Sequence, residues 1–398
     1  MSTPLFDLTL TEEQRITRES MRRLARDTLS NQARAADDAA AADAGLLDAI
    51  SGFGLALMPM PEALGGVGMP RSPLSNALAV EDLAQGDMSH TLAALQPLSA
   101  VNALMDFADE QQQERWLPAL ASETFVGAAV ALNEPRATFE PTMPATTARK
   151  ESDAYTLNGV KSLVPMAGQC QWFVVIAATE SEVAAFVVPA DAPGLTIAAE
   201  ACMGLRSANT ATLTLENVRV PAHDRLPHFD LDRLLGLSRI GQCAMAVGCC
   251  QAVMEYAIPY VKERKAFGEP IAWRQSVAFM VANMGIEIEG MRLMMLRAAS
   301  RAEQGTGFPQ GGLSGPAAVH GKSHGDWYQR YPAVRWCRLC ARLPAGNVVP
   351  QSAQHRRVAR QPDGIGERHD KPGNPGQAPT GPADGPATGG GCLSSHCP

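Results

Sequence analysis

Arg264 has the side chain to grip a diphosphate. In Arg264-Lys265-Ala266-Phe267-Gly268 its guanidinium offers a fork of donors that never loses its charge. Such a fork matches phosphate oxygens in pairs. The plainer reading is a charged helix end, because Lys262-Glu263-Arg264-Lys265 runs into Gly268, a common helix stop. A general base needs a carboxylate or imidazole within hydrogen-bond reach of the proton it takes. Asp230 and Asp232 are the nearest acids before Arg239, and they read more simply as solvated groups at a helix start. No catalytic base can be named. Cys337-Arg338-Leu339-Cys340 has the spacing of half a zinc site, but Cys392 and Cys397 form a wide second pair in a Gly/Pro-rich stretch. The eight histidines form no ligand-spaced pair, and no metal is expected.

These groups need elements to hold them. Up to about residue 120 the chain reads as helices. Thr11 can cap a helix opened by Glu12-Glu13-Gln14, with Gln14 placed for a capping box. Asn31 to Ala42 is rich in alanine, Leu74–Ala84 has helical spacing of apolar residues, and a helix from Glu110 stops near Pro118. From Phe125 to Pro221 short apolar runs alternate with turn residues. Asp153 to Gly159 ends in a turn pair, Trp172–Ile176 and Val183–Val188 read as buried strands, and Thr212–Val220 alternates. Helical character returns in Leu234–Tyr260, expected to be buried on most faces, and in Gln275–Arg301, whose many methionines read as core.

Composition bounds the function. The 398 residues allow two or three domains, with 45% hydrophobic and 19% charged residues, an ordinary globular balance. A net charge of −7 gives no reason to expect nucleic acid or an anionic membrane as partner. No apolar run reaches the roughly 20 residues of a membrane span, and the first residues lack a signal-peptide pattern, so a cytoplasmic location is expected. Of nine cysteines, Cys170, Cys202, Cys243, Cys249 and Cys250 lie in apolar or mixed surroundings and read as thiols rather than disulfides.

Five short words, taken together, resemble the acyl-CoA dehydrogenase family. They are Pro61-Glu62-Ala63-Leu64-Gly65-Gly66-Val67-Gly68, Ala131-Leu132-Asn133-Glu134-Pro135, Leu157-Asn158-Gly159-Val160-Lys161, the stretch from Met203-Gly204-Leu205-Arg206 to Val218-Arg219-Val220-Pro221, and Arg264 to Gly268 with Gln275 following. The resemblance covers about residues 8–309. It implies a mainly α chain with a central β domain: an N-terminal helical domain over 1–122, a β-barrel-like middle domain over 123–229, and the first part of a C-terminal four-helix bundle over 230–309. It also implies FAD, an acyl-CoA substrate, and electron-transfer flavoprotein or a similar acceptor, in a homo- or hetero-oligomer. The family's reaction removes the α-proton of a thioester with a base while a hydride leaves the β-carbon for flavin N5.

By the same resemblance Arg264, Phe267 and Gln275 reach the FAD of a neighbouring subunit, with Phe267 as an apolar wall. Leu132, Asn133, Leu163 and Pro165 lie against the flavin ring, and Phe139 and Arg239 lie near the substrate. The sequence departs from the family at several of these places. Leu163 and Pro165 stand where an aromatic ring and a hydroxyl are common, and Pro165 has no N–H to donate. Thr138-Phe139-Glu140 replaces a Gly-Ser-Asp run, and Ser238 stands where one branch has a glutamate base. These departures leave two alternatives open: a non-catalytic partner subunit, or a flavin oxidase or monooxygenase on the same scaffold.

Residues 310–398 do not read as bundle, and 361–398 have the composition of a disordered tail. Read one base later, codons able to encode His324 to Cys340 permit MEIGTNGIQLFGGAGFV, which resembles the family segment expected there. We therefore expect a change of reading frame between about Pro309 and Val319, and with it apolar bundle surface left exposed.

Overall fold

The computed structural model describes residues 10–122, 124–136 and 140–305. Phe139, the four cysteines of the zinc pattern and the segment with the shifted-frame reading lie outside the described residues.

Helices come first: α1 (Glu12–Leu24), α2 (Ser30–Ala39), α3 (Ala44–Ser51), α4 (Pro73–Ala84), α5 (Met88–Ala94), α6 (Gln96–Phe107) and α7 (Glu110–Trp116). The Thr11 side chain accepts from the Gln14 N–H at 3.2 Å and the Gln14 side chain accepts from the Thr11 N–H at 3.0 Å, so the capping box forms as the sequence predicts. Asp109 and Gln112 repeat the device on α7. A π-turn, Ala25–Leu29, joins α1 to α2.

Seven strands follow: β1 (Gly127–Ala131), β2 (Thr147–Lys150), β3 (Ala154–Val164), β4 (Cys170–Ala178), β5 (Val183–Pro189), β6 (Leu195–Ala199) and β7 (Ala211–Pro221). They pair in the order β1-β4-β2-β3-β7-β6, with β5 on β4. β1 runs parallel to β4, while β5 and β7 lie antiparallel to β4 and β3. From Trp172 onward β4 is apolar because both faces are buried. Phe173, Val175 and Ala177 enter the core of the β domain, whereas Trp172, Val174 and Ile176 pack with Val101, Leu104 and Phe107 of α6. The turn expected at Asn158-Gly159 is not made. β3 runs through it with a register shift between Leu157 and Gly159, and a Cβ on Gly159 would meet the Thr146 Cα at 2.6 Å. The glycine answers a close approach of backbone rather than a turn.

The chain ends its described part with α8 (Leu231–Glu263), a hairpin of β8 (Lys265–Ala266) and β9 (Glu269–Pro270), and α9 (Gln275–Glu303). α4 lies against both long helices, with Leu78, Val80, Ile240, Ala244, Met295, Leu296 and Ala299 in one cluster. α8 is buried along one broad stripe, Ile240, Ala244, Val247, Cys250, Val253, Ala257 and Val261, rather than on most faces. α9 departs further from expectation. Met284 and Met295 are core, but Met280 and Met294 are exposed, as are Phe279, Ile286 and Leu293. Its methionines divide between a buried stripe and an open face.

Two adjacent acids on α4 tie the helices together. Asp82 accepts from Arg18 at 2.6 Å and from Arg22 at 2.8 Å, both on α1, and Glu81 accepts from Arg292 of α9 at 2.7 Å. Both carboxylates are buried, so the guanidinium groups face charges that water does not reach, with the Glu81 Oε2 left without a hydrogen bond among the described residues. Of the five cysteines read as thiols, Cys170, Cys249 and Cys250 are buried, Cys202 and Cys243 are half-buried, and none forms a disulfide among the described residues.

Candidate functional site

Leu132 and Asn133 leave β1 and meet the end of β3. The Lys161 ammonium donates to the Leu132 carbonyl at 3.2 Å and the Ser162 N–H donates to the Asn133 carbonyl at 3.0 Å. These bonds set the half-buried Leu132 and the exposed Asn133 against the end of β3, where they form a ledge with the exposed Leu163, while Pro165, two residues on, is buried. Leu163 is 46% exposed with φ +55°, and Met166 has φ +54°, so the backbone enters the left-handed region on both sides of Val164-Pro165. The Met166 N–H donates to the Ala208 carbonyl at 3.0 Å and the Leu163 N–H donates to Glu200 at 2.8 Å. The ledge thus spends its own donors on its own fold. It presents an apolar Leu163 side chain beside the exposed Asn133, whose amide makes no hydrogen bond among the described residues.

Beneath the ledge lies an ion pair that reading the sequence did not find. Glu134 and Lys161 meet at 3.0 Å, with side chains 2% and 0% exposed. Glu134 also accepts from the N–H groups of Ala145 (2.8 Å) and Thr146 (2.9 Å) and from the Thr146 hydroxyl (2.7 Å). Burial by itself would raise the Glu134 pKa. The hydrogen bonds from Ala145 and Thr146 and the ammonium outweigh it and hold the carboxyl at about 2, below the ordinary 4.5. The same burial lowers the pKa of Lys161, with Glu134 opposing it. The signal was present in the words Ala131-Leu132-Asn133-Glu134-Pro135 and Leu157-Asn158-Gly159-Val160-Lys161, each of which carries one charge among apolar neighbours.

This pair has a pH signature. Glu134 is depressed in the folded state, so its contribution is full above the unfolded value and fades as pH falls toward about 2. Urea midpoints taken from pH 7 to pH 2.5 should fall more steeply for the unaltered chain than for Glu134→Gln. Parallel curves would refute the assignment.

The hairpin group is separate. Arg264 caps the end of α8, exposed, and its carbonyl accepts from the Ile271 N–H at 2.8 Å. Phe267 and Gly268 both have positive φ, +57° and +85°, which closes a two-residue hairpin. Phe267 is 95% exposed, and the Arg274 guanidinium lies 5.5 Å from its ring centroid. Gln275 opens α9 and is exposed. No hydrogen bond or ion pair joins Arg264, Phe267 or Gln275 to the ledge among the described residues.

Arg239 lies half-buried on α8 with no hydrogen-bond or ion-pair partner among the described residues, one position after the half-buried Ser238. Asp230 caps α8, accepting from the Arg233 N–H at 3.0 Å, and Asp232 is exposed in the first turn. Neither is poised as a base. The buried His90 sets its Nδ1 against Asp87, while its Nε2 accepts from the Asp43 N–H at 3.1 Å. That imidazole is a structural link between α3 and α5.

Comparison with known proteins agrees with this layout. Family models for the acyl-CoA dehydrogenase N-terminal, middle and C-terminal domains match residues 11–124, 129–218 and 231–318. The probable acyl-CoA dehydrogenase YngJ of Bacillus subtilis is 35% identical over 302 residues, which are 73% of this chain and 79% of that protein. Among solved structures, butyryl-CoA dehydrogenase from Megasphaera elsdenii is similar with a TM-score of 0.74 and 27% identity, covering 87% of this chain and 94% of that one. A complex of PigA with FAD and proline is similar with a TM-score of 0.68 and 25% identity, covering 75% and 81%. The helical, β and helical segments follow one another as in these relatives, and the chain belongs to the acyl-CoA dehydrogenase family of oxidoreductases.

Proposed function

We propose that the chain holds FAD and takes part in the α,β-dehydrogenation of an acyl-CoA thioester. The observation that supports this best is the ledge. Leu163 at the end of β3 and Asn133 in the loop after β1, joined through the bond from the Ser162 N–H to the Asn133 carbonyl, are both exposed, one apolar and one with an unengaged side-chain amide. A planar heteroaromatic ring asks for a flat apolar seat with hydrogen-bonding groups at its rim, and the ledge suits one. The half-buried Leu132 would complete that seat, and the buried Pro165 would back it from within. Arg264 and Gln275 would bind the diphosphate part of a cofactor held by a neighbouring subunit, with Phe267 laid along it. When bound, FAD supplies the hydride acceptor. Arg239 would orient the substrate from α8, and Phe139, outside the described residues, keeps the substrate role that the family resemblance implies. Electron-transfer flavoprotein or a similar acceptor would take the electrons onward. The domain divisions that suit this arrangement fall at 122/123, 229/230 and 309/310.

Purified full chain incubated with FAD should turn yellow and bleach under an acyl-CoA. Yellow protein that reacts with oxygen and ignores acyl-CoA would instead indicate an oxidase. Arg264→Met should weaken FAD binding by about 30-fold, the loss expected of a charge-assisted pair of hydrogen bonds. Flavin fluorescence titration measures it, and unchanged affinity would remove Arg264 from the site.

A second reading is a partner subunit that does no chemistry. One observation favours it. Ser238 is a poor base, and each buried acid among the described residues is already engaged: Asp37, Glu81, Asp82, Asp87, Glu134 and Asp224. Colourless protein that co-purifies with a flavin-bearing companion would support this reading over the first.

A further inference from the structure

Leu163 holds a left-handed backbone conformation at an exposed point of the ledge, although leucine has no intrinsic preference for it. Something must keep it there. The restraint on its N–H is a side chain from another part of the sheet: the Glu200 carboxylate accepts from Leu163 at 2.8 Å. The same oxygen, Oε2, accepts from the Thr212 hydroxyl at 3.2 Å, and the Glu200 N–H donates to the Thr210 carbonyl at 2.9 Å. Glu200 follows β6 directly, Thr212 belongs to β7, and Leu163 lies in the register shift of β3 between Lys161 and Val164. One carboxylate therefore fastens the bulge of β3 to its neighbours at the place where pairing with β7 is broken.

We propose that Glu200 is a positioning residue for the flavin seat. It fixes the left-handed turn at Leu163 and so sets the height and tilt of the leucine side chain that would lie against the ring. This assignment rests on the flavin reading above. The chemistry is specific to an oxygen acceptor at this position, since the N–H of Leu163 has to be satisfied while its side chain faces outward. A charged acceptor makes that bond stronger than a neutral one. A glutamine could still accept through its amide oxygen, whereas an alanine could not.

The test uses the full chain with Glu200→Ala and Glu200→Gln. Two quantities are read: hydrogen exchange at the Leu163 amide without cofactor, and FAD affinity by fluorescence. Glu200→Ala should speed exchange at Leu163 and weaken FAD binding by about tenfold each, the loss expected of one charge-assisted bond, with little change in the unfolding midpoint. Glu200→Gln should restore most of both. If Glu200→Ala exchanges or binds FAD as the unaltered chain does, the proposal fails while the flavin reading stands. Should Glu200→Ala not fold, Thr212→Val loosens the same carboxylate and should shift both readouts in the same direction by a smaller factor; no shift there also overturns it. If the unaltered chain takes up no FAD, the flavin reading fails and carries the proposal with it.

Discussion

Replacing Lys161 by methionine should cost about 3–5 kcal/mol of stability, the penalty for stranding one charge of a buried pair, and should abolish FAD uptake. The ammonium is fully buried and touches two partners, the Glu134 carboxylate at 3.0 Å and the Leu132 carbonyl at 3.2 Å. Methionine fills the space of the stem but leaves that carboxylate facing an apolar thioether. Glu134 keeps its bonds from Ala145 and Thr146, so the site would not empty of donors, but its charged donor would be gone. The loop between β1 and β2 would then lose the Lys161 bonds to Leu132 and Glu134 and keep the Ser162 bond to Asn133. Leu132 would no longer be fixed against β3, which is why cofactor binding should fail along with stability. Chemical denaturation measures the first effect and flavin retention the second. The double variant Lys161→Met with Glu134→Gln should recover part of the loss, because the stranded charge is removed. A loss below about 1 kcal/mol, the size of an ordinary surface pair, would show that the pair holds nothing.

Gly248→Val should destabilise the helical part by about 3 kcal/mol, at the upper end of the usual cost of overpacking. Gly248 lies where α8 crosses α4, and a Cβ there would meet the Glu81 carbonyl oxygen at 2.2 Å and its carbonyl carbon at 3.1 Å. Those neighbours are backbone, so no side chain can turn aside. The helices must separate. Gly248→Ala offers a sharper check on sign, since alanine in an open helix would stabilise by about 1 kcal/mol over glycine. Here it should destabilise. A denaturation midpoint that rises for Gly248→Ala would refute the close packing of α4 on α8.

Local devices were legible in the sequence. The capping box at Thr11 and Gln14, the apolar run of β4 and the alternation of β7 appear as the residues predict, because each is decided by neighbours in the chain. Arrangements that depend on distant partners were not. Glu134 and Lys161 are separated in the chain by β2 and the first part of β3, and the sequence marks them only as charges in apolar surroundings. Asn158-Gly159 looks like a turn in isolation, and only the approach of Thr146 shows why glycine is needed inside a strand. The methionines of α9 carry no label telling the buried Met284 and Met295 from the exposed Met280 and Met294, since methionine suits either setting. For the candidate site, the words around Leu132 and Leu163 indicated where to look, but the role of Glu200 required the fold.

The acids at positions 81 and 82 make their hydrogen bonds in different directions because consecutive residues on a helix point about 100° apart, although Arg18 also lies 3.7 Å from Glu81. One takes hold of the chain's opening helix and the other of its last described one. Segments far apart in synthesis order are thereby strapped to a common post. Loosening the first turns of the protein, by proteolysis or by a charge-reversing change at Arg18, should be felt at Arg292 as greater freedom of α9, the helix that bears the open apolar face.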